Sequence, residues 1–152
     1  MRPREGEAPA ESGVHGRKRA GRPIFPLYCQ ESMSYDLTIR ADECYSRMTA
    51  RQPLSTFIAT LPNVRPNGTM FRLDDPPTRW MEIDLELVNE EGDWIGDEER
   101  ADTSQINCLR LHIPYGFLRR ESLEAGYLPT ALAIAGHLGW TLLDEQTSRT
   151  WP

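Results

Sequence analysis

Alternation of apolar and polar residues constrains this chain more than any other feature. In SYDLTIRA, residues 34–41, Tyr35, Leu37 and Ile39 alternate with Asp36, Thr38 and Arg40. MFRLD (70–74) and RWMEIDLELV (79–88) flank the proline-bearing bend DPPT, and INCLRLHIP (106–114) alternates again. A period of two sends successive side chains to opposite faces, so each stretch predicts a strand with one face in a core and one toward water. WTLLD, residues 140–144, predicts a fifth strand.

Two segments have a helical period instead. In PLSTFIATLP, Leu54, Phe57, Ile58 and Leu61 fall at i, i+3, i+4 and i+7, with Pro53 suited to the first turn and Pro62 to the end. PTALAIAGHLG predicts a short helix closed by Gly139, with Leu128, Ala131, Leu132, Ala135 and Leu138 as its apolar stripe. Asn67-Gly68 is a strong turn signal. The order β-α-β-β-β-α-β predicts an α+β two-layer sandwich, with a mainly antiparallel sheet of about five strands and two helices on one face. Its general plan resembles a ferredoxin-like fold with an added strand. Trp151-Pro152 is expected to trail off.

Residues 1–32 lack this periodicity. They are rich in Pro, Gly, Glu and Arg and predict a disordered leader before a single domain at 33–152. GRKRAGR, 16–22, has the composition of a nucleic-acid arm or a targeting signal, but a disordered leader fits the whole stretch better. REGEAPAE resembles translated text ahead of a misassigned bacterial start, which makes Met33 an alternative first residue.

Charge divides along the same boundary. The first 32 residues hold six of the 17 basic and four of the 23 acidic residues. Residues 33–152 are therefore left with 11 against 19, a net −8. So acidic a body repels phosphate backbones, which argues against general nucleic-acid binding. No apolar stretch has the length of a membrane span. No secretory signal is recognisable, and three cysteines without a CxxC pair predict reduced, unligated thiols, so the cytoplasm is the expected compartment.

The polar sides of the strands hold the candidate chemistry. Trp80, Glu82, Asp84 and Glu86 share one side of their strand, and Asp36, Arg40, Arg110 and His112 share the polar side of two others. Carboxylates at alternate strand positions stand about 6.5–7 Å apart and repel by roughly 0.6 kcal/mol in water. One cross-strand arginine offsets most of that, so an acidic row demands no function by itself. Three such carboxylates span too far to converge on one metal ion, and 89–105, with seven acids, lacks the register of a calcium loop. That segment predicts a solvated excursion whose Trp94 and Ile95 either pack on the domain or meet a partner. No nucleophile elbow, phosphate loop or dinucleotide fingerprint occurs, so no catalytic residue, metal or cofactor is assigned.

The expectation is a small acidic binding domain that engages a basic protein partner, of the kind represented by bacterial immunity proteins that neutralise basic toxins. Its contact set is Trp80, Glu82, Asp84, Glu86 and Trp94. The alternative is a small hydrolase or isomerase using Glu82 or Asp84 with His112, the polar-face set Asp36, Arg40, Arg110 and His112 forming its site. A third reading makes the acidic face solubilising only.

Overall fold

A computed structural model describes residues 33–95 and 104–152. The expectations for the leader, and for 96–103 of the acidic segment, lie outside these residues.

The chain is α+β. Strand β1 (Ser34–Arg40) is followed by the short β2 (Thr49–Ala50), which runs straight into helix α1 (Arg51–Ile58). The helix begins two residues before Pro53, and the Arg51 N–H, free of any intrahelical partner there, donates to the Ser104 carbonyl at 2.7 Å. Leu54 and Ile58 are buried, one turn apart on the same face. Strands β3 (Val64–Asn67) and β4 (Met70–Asp75) then form a hairpin. Asn67 pairs with Met70, so the turn residues are Gly68 and Thr69, and Gly68 supplies the positive φ of 64° that the turn requires. The bend before β5 (Arg79–Glu86) carries a cis peptide between Pro76 and Pro77, and Arg79 closes it by an ion pair with Asp75 at 2.6 Å.

Beyond 103, β6 (Gln105–Ile106) pairs with β2, and β7 (Cys108–Pro114) enters the main sheet. Helices α2 (Tyr115–Leu118), α3 (Leu123–Gly126) and α4 (Leu128–Leu138) precede β8 (Thr141–Asp144) and β9 (Thr150–Trp151). At the end of α4, Gly139 takes the left-handed conformation and closes the helix onto the Ala135 and Gly136 carbonyls. No helix among the described residues is long and apolar enough to cross a membrane.

Seven strands form one sheet in the order β3-β4-β5-β7-β1-β8-β9, and every ladder in it is antiparallel. β1 and β5 therefore run parallel with β7 between them, and β7 and β8 run parallel with β1 between them. Leu37 and Ile39, Leu73, Met81 and Ile83, Leu109, Leu111 and Ile113, and Leu142 are all buried from one face. They form a single core cluster with Leu54 and Ile58 of α1 and with Leu128, Ala131, Ile134 and Ala135 of α4. The two helices also meet directly, since the His137 ring stacks on Phe57 with centroids 3.8 Å apart.

Several expectations need correction. The sheet has seven strands, not about five, and there are four helices among the described residues, not two. Pro66 discourages a strand reading of VRPN, yet an edge strand tolerates proline because its outer N–H needs no partner. The last residues do not trail off: Trp151 pairs with Leu142 as part of β9. In α4 the buried stripe centres on Ile134, while Leu132 and Leu138 are only partly covered, because the helix lies rotated on the sheet.

Candidate functional site

The polar face of the sheet is set by register. Along one row, Glu82 of β5 lies opposite His112 of β7, which lies opposite Asp36 of β1. In the next row, Asp84 faces Arg110, which faces Thr38. At the end of β5, Glu86 faces Cys108. Directly opposed residues have Cβ atoms only about 4.5–5.5 Å apart, so these pairs must satisfy one another's charge.

They do so unequally. His112 Nδ1 stands 2.7 Å from Asp36 Oδ1, and its Nε2 stands 3.6 Å from Asp84 Oδ2. A neutral imidazole has one N–H and can donate to only one of them. Arg110 Nε lies 3.0 Å from Glu86 Oε2, but the approach misses hydrogen-bond geometry, so Oε2 is buried with a charge contact and no hydrogen bond. Burial pushes the Glu86 carboxyl above its ordinary range, against the pull of Arg110. Asp84 is also raised, chiefly by burial and then by Glu82, with His112 and Arg110 opposing. Glu82 makes no ion pair among the described residues. Its cross-strand neighbour Arg72 turns instead to Asp74, at 2.7 Å, and to the Trp80 ring, 4.4 Å from its centroid.

The segment after β5 folds back over this face. Asn89 Oδ1 accepts from the Glu91 and Asp93 N–H groups at 3.0 and 2.8 Å, making a tight turn, and Ile95 returns to donate to the Leu87 carbonyl. The turn is tied down in two ways. The Arg110 guanidinium donates to the Gly92 carbonyl, and Gly92, at φ 86°, packs so close that a Cβ would come within 3.0 Å of the Tyr45 ring. Behind it, buried Asn107 bonds Val88 N–H and C=O at 2.8 and 2.9 Å and the Tyr45 carbonyl at 3.0 Å.

The turn leaves Trp94 62% exposed, with an open cleft on each side. One cleft, of about 510 Å³, has Asp36, Thr38, Tyr45, His112 and Glu145 on its walls. The other, of about 520 Å³, is bordered by Arg51, Met70, Asp84 and Glu86. Both are open to solvent. No group of three or more histidine, cysteine or carboxylate side chains suited to a metal ion occurs among the described residues.

Glu82, Asp84 and Glu86 thus share one side of β5, as alternation requires, but they are half-buried. Trp80 is half-buried at the opposite end of β5 from Trp94, whose bridge partner Val88 lies roughly 26 Å away along the strand, with Phe117 stacked 6.2 Å from Trp80. Asp36 and His112 come together. Arg40 stands apart from them, with its guanidinium 5.3 Å from the Tyr45 ring centroid. Cys108, on the polar side by alternation, is fully buried there, and burial pushes its thiol up to about 12. Residues that sequence reasoning passed over are Tyr45, Asn107, Glu145 and Gly92. Only the Asn-x-x-Gly-Asp text at 89–93 signals its turn locally. Comparison with protein-family models, curated proteins and solved structures found no match.

Proposed function

We propose that this is a small acidic binding domain whose polar sheet face engages a basic protein partner, with an immunity-type protein that neutralises a basic toxin as the concrete case. In this reading the domain is a two-layer, ferredoxin-like sandwich, in which β8-β1-β7-β5 is the central four-strand unit. The observation that carries the reading is Trp94, a large aromatic left 62% exposed between two acid-bordered clefts. Exposed aromatics ringed by charge are the usual anchors of binding surfaces. Asp84 and Glu86 border one of these clefts, Glu82 continues their row along β5, and Glu91 and Asp93 are exposed beside the indole. Trp80, at the far end of β5, extends the contact set. Charge of this kind accelerates encounter and excludes acidic competitors.

The test compares capture by the native chain with capture by two variants, Glu91→Lys/Asp93→Lys and Trp94→Ala. Both lie on the exposed turn, where substitution spares the core. The captured partner should be basic and its association should slow with added salt. Both variants should weaken its binding by at least about tenfold, the size of a typical hot-spot loss. Undiminished binding by both variants at low salt refutes the reading and leaves the acidic face as a solubilising one.

A second reading has one specific observation in its favour. His112 stands between two carboxylates at a cleft wall, and one of these, Asp84, is held above its ordinary range. A hydrolase or isomerase using Asp84 or Glu82 with His112 would exploit that pair for proton transfer. It requires turnover that His112→Ala and Asp84→Asn each abolish while Trp94→Ala leaves it intact. The binding reading requires the reverse sensitivity.

A further inference from the structure

We propose that the face around Trp94 is occupied, in the free chain, by the basic stretch of the same chain at 16–22, GRKRAGR, which a partner must displace. The inference rests on the reading of that face as a surface for cations, and adds its regulation.

Charge segregation is the first support. Arg17, Lys18, Arg19 and Arg22 fall within seven residues that contain no acid, whereas residues 33–152 carry a net −8. The second is reach. β1 begins at Ser34, and Asp36, two residues further on, is already on the wall of the cleft beside Trp94. Twelve residues lead from Arg22 to Ser34, a tether that spans roughly 40 Å when extended. The cleft with Asp36 on its wall is well within that distance of the start of β1. A tether of this length holds a ligand at an effective concentration of the order of millimolar, enough to fill a weak site without any partner present.

The third support is the state of the tryptophans. Arg72 lies over the Trp80 ring at 4.4 Å and Arg149 over the Trp151 ring at 4.7 Å. No arginine among the described residues lies over Trp94, although it is the most exposed indole of the three and stands beside Glu91 and Asp93. A guanidinium stacked on that ring and flanked by those carboxylates meets complementary chemistry on both counts. A basic partner offers the same groups, so it and the stretch compete for one surface.

The test uses the full chain. Acrylamide quenching of Trp94 is isolated as the difference between a chain and its Trp94→Phe form. It is compared between the native chain and a chain carrying Arg17→Ser, Lys18→Ser, Arg19→Ser and Arg22→Ser. At low salt, Trp94 of the native chain should be quenched at least about twofold less readily. The difference should vanish at high salt and should not depend on protein concentration. Equal quenching of the two chains at low salt overturns the inference. So does protection that fades on dilution, because it assigns the contact to a second copy. A synthetic GRKRAGR peptide added to the four-serine chain separates the two ways of failing. If it protects Trp94 although the chains are equal, the face still takes cations and only its occupancy by the chain's own stretch falls. If it does not, the reading of the face falls as well.

Discussion

Glu86 and Leu85 are neighbours in sequence and opposites in environment, and the contrast between them is testable. Leu85 is 6% exposed within the core cluster, so Leu85→Ala should cost about 2–5 kcal/mol in chemical denaturation. Glu86 is half-buried on the other face, and burial holds its carboxyl above the ordinary value of 4.5. A carboxyl raised on folding binds more protons in the native than in the unfolded state, so its contribution to stability falls as pH rises through the window above 4.5. At neutral pH, Glu86→Gln should therefore change stability by no more than about 0.5 kcal/mol, or increase it. Relative to the native chain, the glutamine form should gain stability as pH rises from 4 toward 7, measured as urea midpoints across that range. A native chain that instead loses stability relative to Glu86→Gln on acidification would show that the Arg110 contact outweighs burial. Asp144 gives the opposite sign. Burial alone would raise it, but hydrogen bonds from the Tyr35 hydroxyl, Thr147 and the Gln146 N–H outweigh burial and hold it low. The stability it contributes is present above the ordinary value of 3.8 and is lost as pH falls below it.

Among the elements, the turn at Asn89–Ile95 decides whether the polar face is open or shaped. Its position depends on Asn107, which ties together three segments far apart in sequence: the 42–48 connection through Tyr45, the end of β5 through Val88 and Glu86, and the start of β7. Asn107→Ala should leave the Val88 amide and carbonyl without partners in a buried place, at a cost of about 2–4 kcal/mol. Hydrogen exchange should speed up first at Val88 and at Ile95, whose N–H closes the turn. Exchange that speeds up uniformly across the sheet would mean that Asn107 supports the whole domain and not this turn. The alternating strands, both long helices and the β4–β5 hairpin are readable from their own periods. β3, β9 and the β2–β6 pair are not, because two to four residues carry too little period to declare themselves and gain their partners only when the sheet assembles.

For the molecule as a whole, the core cluster among the described residues runs from Leu37 to Leu142, with Tyr35 and Trp151 packed at its margin. Residues 1–32 carry no apolar period in their sequence, so deleting them should leave the melting temperature within a few degrees, measured by circular dichroism. A larger fall would place a structural part of the domain in those residues. Local sequence was sufficient to determine the five alternating strands and the two longer helices, and which side of each of those strands is apolar, because burial of one face imposes its period on the text. It placed Asp36, His112, Glu82, Asp84 and Glu86 on the polar side for the same reason. Which of these become neighbours was decided by the tertiary structure alone. Asp36 and His112 are 76 residues apart, and they meet because β1 and β7 lie next to each other in a particular register. That choice depends on how the two crossovers and helices α1 and α4 bury the opposite face together, a cooperative packing that no single stretch of sequence encodes.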